Sequence, residues 1–241
     1  MIETERLVLR SWLETDAESL YEYAKDPAVG PIAGWPVHSS VKNSLEIIKN
    51  VLSADETYAV CLKTDNVAIG SIGLITPAQT HSEASNTELE VGYWIGVPFW
   101  GNGYIPEAIR ALQKHAFEDL GCTAMWCGYY DGNEKSRRCQ EKCGFKYHHT
   151  EKNKPCELMS DVRTEHFTYL TKEEWKKDKF QFVERLDAIL LVVFTPTYTP
   201  FGRSFANKLP DLCEKPFCFL SVFKFSPNIP CHTPSPLKTA Q

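Results

Sequence analysis

No apolar run in this chain approaches the roughly 20 residues that cross a bilayer; the longest, residues 188–194, falls far short. There is no surplus of positive charge either. A formal net charge of -5 argues against nucleic-acid binding by bulk electrostatics. The opening Met1-Ile2-Glu3-Thr4-Glu5-Arg6 is too charged for a secretion signal. The nine cysteines include no C-x-x-C pair, which favours free thiols in a reducing compartment over a disulfide scaffold. Cys139 and Cys143 stand four apart with no C-x-x-H nearby to complete a zinc set, so they read as small buried hydrophobes. His148 and His149 are adjacent, hence on opposite faces of a strand, and do not easily share a metal. The expectation is a cytoplasmic protein with no metal, no membrane partner and no nucleic-acid partner. Its 241 residues, 43% hydrophobic, suffice for one domain with a sizeable core and a small appendage.

What is present centres on Pro98-Phe99-Trp100-Gly101-Asn102-Gly103-Tyr104-Ile105-Pro106-Glu107-Ala108. Residues 87–97 before it are rich in aromatic and β-branched types, which predicts a strand. After it, Ile105, Ala108, Ile109, Leu112, Ala116 and Leu120 recur at helical spacing. Gly101 and Gly103 let the backbone approach a ligand, and Pro106 suits a first helical turn. The first N–H groups of that helix lack partners inside it, and its macrodipole adds positive charge, so a phosphate or pyrophosphate fits there. Two glycines also make a plain strand-to-helix turn, and the spacing alone leaves both readings open. No Gly-Lys-Ser/Thr follows, which excludes a Walker loop, and there is no third glycine for a dinucleotide fingerprint.

Strands are expected over residues 6–12, 58–63, 68–75, 88–95, 123–130, 145–149 and 163–170. Helices are expected over 14–25, over 39–52 with Leu45, Ile48 and Val51 on one side, and over 133–142. Three prolines and two glycines make 26–38 a loop suited to cover a site. Strands with helices inserted between them give a mixed α/β sheet with helices on its faces.

Four stretches, in this order, carry a resemblance: Glu90-Val91-Gly92-Tyr93-Trp94; Phe99-Trp100-Gly101-Asn102-Gly103-Tyr104 with Glu107-Ala108; Gly132-Asn133-Glu134-Lys135-Ser136; and Glu141-Lys142-Cys143-Gly144-Phe145. Together they resemble the GNAT superfamily of N-acetyltransferases. The run Thr4 to Arg10 is similar to the opening of the ribosomal-protein alanine N-terminal acetyltransferase branch, and Leu170-Thr171-Lys172-Glu173-Glu174-Trp175 to that branch's end. The likeness spans residues 1–176. It implies a mostly antiparallel central sheet with helices on both faces, and acetyl-CoA as donor.

On that resemblance, the backbone of Trp100, Gly101, Asn102, Gly103 and Tyr104 would cradle the pyrophosphate, and Ile95, Gly96 and Val97 would pair with the pantetheine arm. Asn133 would hydrogen-bond the same arm. Pro98 stands where the family usually has Arg or Gln, so cofactor affinity is expected to be weaker, not lost. Attack of an amine on a thioester needs a neutral amine, a donor for the oxyanion and a proton for the departing thiolate. Glu90 matches the family's general base, Glu88 shares its strand parity as a weaker candidate, and a backbone N–H near Ile95 would serve the oxyanion. The family's tyrosine acid is missing, since Gln140 occupies its place. Ser136 is the substitute that the closer branch suggests, although it could equally cap or pack within its helix. Tyr93 and Trp94 read as core or pocket wall.

The acceptor, a protein N-terminus or a small amine, would lie between 26–38 and the polar loop 79–86; the chain would work as monomer or homodimer. Residues 177–241 hold eight of the fifteen prolines, nine of the thirteen phenylalanines and no tryptophan. They read as an extension without catalytic role. The resulting expectation is acetyl transfer by direct attack in a ternary complex. The rival is a CoA-binding sensor or interaction module without turnover.

Overall fold

The structure is a computed structural model and describes residues 1–76, 85 and 87–177. The expectations for 79–86, Ser85 aside, and for the extension beyond Lys177 lie outside the described residues.

Eight strands form one sheet: β1 Ile2–Glu3, β2 Leu7–Arg10, β3 Thr57–Leu62, β4 Ala68–Ile75, β5 Glu88–Ile95, β6 Ala124–Tyr130, β7 Lys146–Cys156 and β8 Asp161–Thr171. Their order is β1-β2-β3-β4-β5-β6-β8-β7. Every neighbouring pair is antiparallel except β5 and β6, which run parallel. Four longer helices accompany the sheet: α1 Ala17–Ala24, α2 Val41–Ile47, α3 Tyr104–Lys114 and α4 Glu134–Lys142. The mixed sheet is as the order of elements suggested, and its mostly antiparallel pairing as the resemblance implied.

The helices bury their apolar stripes in two clusters. In one, Ile105, Ala108, Ile109 and Leu112 of α3 pack on Leu7, Leu9, Ile72 and Val91, with Leu89, Tyr93 and Ile95 of β5 against them. In the other, Leu20 and Ala24 of α1 meet Trp12, Ile48 and Ala59, with Trp94 of β5 at its edge. Strand parity explains the split, because alternate residues of β5 face opposite sides. Ser40 starts α2 by accepting a hydrogen bond from the Asn43 N–H at 3.1 Å, the usual work of a serine at a helix start.

Two apolar positions read from helical spacing are corrected. Val51 is 55% exposed and Leu120 is 45% exposed. In both cases the helix widens into a π-helical turn, Ile48–Leu52 and His115–Asp119, and a wider turn moves the buried stripe away from 3.6-residue spacing. Phe117 therefore takes the buried place, packing on Trp175 with ring centroids 5.2 Å apart. The strand expected to begin within 145–149 runs as β7 on to Cys156, and its pairing shifts register between Tyr147 and His149. A bulge breaks strand alternation. The adjacent imidazoles of His148 and His149 consequently meet, Nδ1 to Nδ1 at 2.9 Å, contrary to the opposite-face reading.

A clamp fixes the N-terminus of α3 to the first strands. Glu107 Oε1 accepts from the Thr4 hydroxyl at 2.6 Å and the Arg6 amide at 2.8 Å, while Oε2 faces the Arg6 guanidinium at 2.7 Å. Burial pushes the Glu107 carboxyl up, but the Thr4 and Arg6 bonds together outweigh it and hold it below its usual 4.5. A depressed carboxyl adds stability above its unfolded value, and that stability is lost as pH falls through the folded value. Glu107→Gln is thus expected to unfold at lower temperature than wild type at neutral pH, with the gap closing below about pH 4. Thermal unfolding midpoints against pH check this; a gap that stays constant in acid contradicts it.

Candidate active site

The parallel pairing of β5 with β6 is short. It registers Glu88 with Ala124, Leu89 with Met125 and Glu90 with Trp126, whereas β5 runs on to Ile95 and β6 to Tyr130. The strands part beyond Glu90. On its other side β5 stays paired with β4, where the Gly96 N–H donates to the Ile69 carbonyl at 2.9 Å. Bonded and non-bonded pairs alternate in an antiparallel ladder, so Val91, Tyr93 and Ile95 turn their peptide groups toward the gap. Two contacts agree. The Cys127 thiol of β6 donates to the Val91 carbonyl at 3.3 Å, and the Trp100 indole N–H donates to the Ile95 carbonyl at 2.9 Å.

At the end of β5 the chain makes a short turn, Val97–Phe99, in which Pro98 sits at the favoured start. The Trp100 amide is used within this turn, donating to the Val97 carbonyl at 3.1 Å. Gly101 and Gly103 follow with φ of 79° and 78°, the left-handed region where a side chain is costly. Gly103 precedes α3 with no side chain capping the helix, and the first intrahelical bond is Glu107 N–H to the Gly103 carbonyl. The early amides of α3 thus lack acceptors within the helix. Lys135 of α4 places its ammonium 3.3 Å from the centroid of the Trp100 ring. A concavity of about 490 Å³ adjoins the turn, with Arg6, Arg110 and Lys142 among its lining residues.

Of the residues named from sequence, Ile95, Gly101, Asn102, Gly103 and Tyr104 lie together from the gap to the helix start. Gly96 is turned to β4 by its amide, and a Cβ there would come within 2.8 Å of the Tyr23 ring. Val97 begins the turn. Asn133 caps α4, its Oδ1 accepting from the Ser136 N–H at 3.2 Å.

Glu90 is half-buried, with the parity of Trp94. Glu88 is used otherwise: the Trp126 indole donates to one carboxylate oxygen at 2.7 Å and the Tyr169 hydroxyl to the other at 3.0 Å. The 26–38 loop reaches this face through Trp35, whose ring meets Trp94 edge-on at 5.7 Å. Arg163 of β8 holds the loop by donating to the Pro31 carbonyl at 2.6 Å. Beside it lies a concavity of about 480 Å³ bounded by Pro31, Ile32, Tyr130 and Arg163 among others. Burial pushes His38 down, with its Nδ1 2.8 Å from the Ser44 hydroxyl.

Ser136 sits in the first turn of α4. Its Oγ lies 2.9 Å from the Tyr93 hydroxyl and accepts from Gln140 Nε2 at 3.1 Å. Sequence reasoning took Tyr93 for wall and Gln140 only for an absence; the one signal was the i, i+4 spacing of Ser136 and Gln140. Arg6, on the Asn102 carbonyl, and Lys135, over the Trp100 ring, were missed as neighbours of the glycine turn because both are distant from it in sequence. Among the described residues no group of three or more His, Cys, Asp or Glu could hold a metal, and no helix is long and apolar enough to cross a membrane.

Residues 6–146, more than half of the chain, match the family profile described as an acetyltransferase (GNAT) domain. The chain is 27% identical over 150 residues to the uncharacterized N-acetyltransferase YoaA of Bacillus subtilis, covering 60% of this chain and 82% of that protein. It is 43% identical over 60 residues to the Bacillus subtilis protein named "Putative ribosomal N-acetyltransferase YdaF", covering 25% of this chain and 33% of that one. In fold it resembles aminoglycoside acetyltransferase AAC(6')-Ib solved in complex with coenzyme A, with a TM-score of 0.57, 18% identity, and coverage of 72% of this chain and 99% of the other.

Proposed function

The chain belongs to the GNAT acetyltransferase family, and from that premise we propose that it moves the acetyl group of acetyl-CoA to a primary amine by direct attack in a ternary complex. The observation that carries this is the continuity of β5. One strand leads from Glu90, along a gap in which β5 is no longer strand-paired with β6, to an uncapped helix start. The base, the oxyanion donor and the edge for the pantetheine arm would all lie on β5, with the pyrophosphate site following it in the chain.

The amides from Gly101 to Tyr104 and the start of α3 would receive the pyrophosphate, with Lys135 and Arg110 adding positive charge nearby. Lys135 offsets the donor that Pro98 lacks. The edge of β5 would pair with the pantetheine amides, and the Ile95 N–H, facing the gap, would donate to the oxyanion. Glu90 would take the proton of the attacking amine, directly or through water, and Ser136 would donate to the departing sulfur. Trp35 and Trp94 would exclude water on the acceptor side. No acyl-enzyme is invoked. Burial, with the Glu90 charge adding to it, pushes the Cys127 thiol well up, and a protonated thiol is a poor nucleophile. The acceptor is a protein N-terminus or a small amine; the name of YdaF supports the first and that of the aminoglycoside enzyme the second. All six described cysteines are free, which supports a reducing, cytoplasmic setting.

Transfer of labelled acetyl from acetyl-CoA to candidate amines by the full chain tests the reading. CoA binding without transfer to any amine would favour the sensor alternative. We assign catalysis to residues 1–176 and none to 177–241. A chain truncated after Lys176, which keeps Trp175 on Phe117, is expected to retain transfer within about threefold; loss of transfer from a folded truncated chain contradicts that assignment.

A further inference from the structure

We infer that the Tyr93 hydroxyl and the Gln140 amide are positioning residues that aim the single hydroxyl hydrogen of Ser136 at the sulfur leaving the acetyl group. This rests on the transferase reading above. Gln140 stands where the family's tyrosine acid is found, and it is fully buried. Its Oε1 accepts from the Thr168 hydroxyl at 2.7 Å, and its Nε2 lies 3.0 Å from the Gly128 carbonyl. A carbonyl oxygen only accepts, so the atom facing Gly128 must be the amide nitrogen. The second hydrogen of that nitrogen then points at Ser136 Oγ, 3.1 Å away. Ser136 is held as an acceptor on that side.

On the other side stands Tyr93, with its hydroxyl 2.9 Å from Ser136 Oγ and 3.3 Å from the Ser136 carbonyl oxygen. A serine hydroxyl has two acceptor sites and one hydrogen. When Tyr93 donates to Oγ, donors fill both acceptor sites, and the serine hydrogen turns away from them. When Tyr93 donates to the carbonyl instead, the serine hydrogen points back at Tyr93. An anionic sulfur is a stronger acceptor than a phenol oxygen, so its formation selects the first arrangement. Burial, reinforced by Cys127 and Cys139, holds the Tyr93 hydroxyl protonated well beyond its usual range, which keeps it a donor. Glutamine cannot give a proton, but here it sets the direction of the residue that gives the hydrogen bond.

In the step itself the nitrogen–carbon bond forms and the carbon–sulfur bond breaks. The amine proton goes to Glu90 and the electron pair to sulfur. Ser136 hydrogen-bonds that pair without losing its own proton; solvent later takes the proton from Glu90 and supplies one to the sulfur.

The test is a double-variant cycle on the full chain. Tyr93→Phe keeps the ring and is expected to lower kcat about tenfold, with KM for acetyl-CoA within about twofold. Ser136→Ala should do the same, and the double variant should be no slower than Ser136→Ala alone. With an acetyl thioester of a more acidic thiol, the Tyr93→Phe loss should shrink below about threefold, because a better leaving group needs less help. Thr168→Val, which frees the Gln140 amide, gives a second arm should Tyr93→Phe fail to fold; its loss should likewise vanish in the Ser136→Ala background. Losses that multiply in the double variants, or an unchanged kcat in the singles, overturn the inference alone. A wild-type chain that binds CoA yet transfers to no amine overturns the transferase reading, and this inference with it.

Discussion

Replacing Glu90 by Gln is expected to lower acetyl transfer by about two to three orders of magnitude while changing CoA affinity by less than about twofold. Glutamine keeps the size and the half-buried place on β5 but cannot take a proton from the attacking amine. The cradle we propose lies in backbone amides beyond Ile95, so the donor should bind as before. Glu88 gives the contrast. Both of its oxygens accept hydrogen bonds, from Trp126 and Tyr169, so Glu88→Gln should cost stability first and rate second. Steady-state kinetics with calorimetric CoA binding separates the two. A Glu90→Gln chain with near wild-type kcat would remove Glu90 from the chemistry.

Gly70→Ala is expected to impair stability and rate together. Gly70 pairs with Ile95 across β4 and β5. A Cβ at Gly70 would lie 2.4 Å from the Trp94 carbonyl oxygen and 2.9 Å from the Ile95 Cα. Both are backbone atoms and cannot swing aside, so β5 must move toward the gap that Ile95 faces. Overpacking of this kind costs about 1 to 3 kcal/mol, and a displacement near 1 Å at a reacting centre costs about a hundredfold in rate. Gly92→Ala, on β5 itself, is the control. Its Cβ would meet only the Ile75 Cδ1, at 3.5 Å, an ordinary contact that should cost less than about 1 kcal/mol. Equal thermal midpoints and rates for the Gly70→Ala and Gly92→Ala chains would contradict the placement of Ile95.

Much of this was legible in the sequence because it is carried by local pattern. Strands β3 and β4, the glycine turn and the buried stripe of α3 all follow from spacing and turn chemistry, whereas the cap of α4 is Asn133 and not Ser136. The misses share a different cause. Val51 and Leu120 fail because a π-helical turn shifts the helical period, and nothing in the residue types marks it. His148 and His149 fail because a bulge suspends strand alternation. The parting of β5 from β6 is a property of pairing, which no single strand reveals. The Thr4, Arg6 and Glu107 clamp and the Tyr93, Ser136, Gln140 and Thr168 chain join residues far apart in sequence. Gln140 was legible only as a missing tyrosine; its use as a donor needs the Gly128 carbonyl beside it.

The central claim, that one strand carries the base, the oxyanion donor and the edge for the pantetheine arm, is tested most directly by release of free CoA thiol from acetyl-CoA. The full chain would be assayed against Ala-, Ser- and Thr-starting peptides and a panel of small amines, with the Glu90→Gln chain in parallel. The account predicts amine-dependent release with one class of acceptor and a loss of about a hundredfold or more in the variant. Absence of CoA binding by the wild-type chain, or release that is indifferent to Glu90, would contradict it.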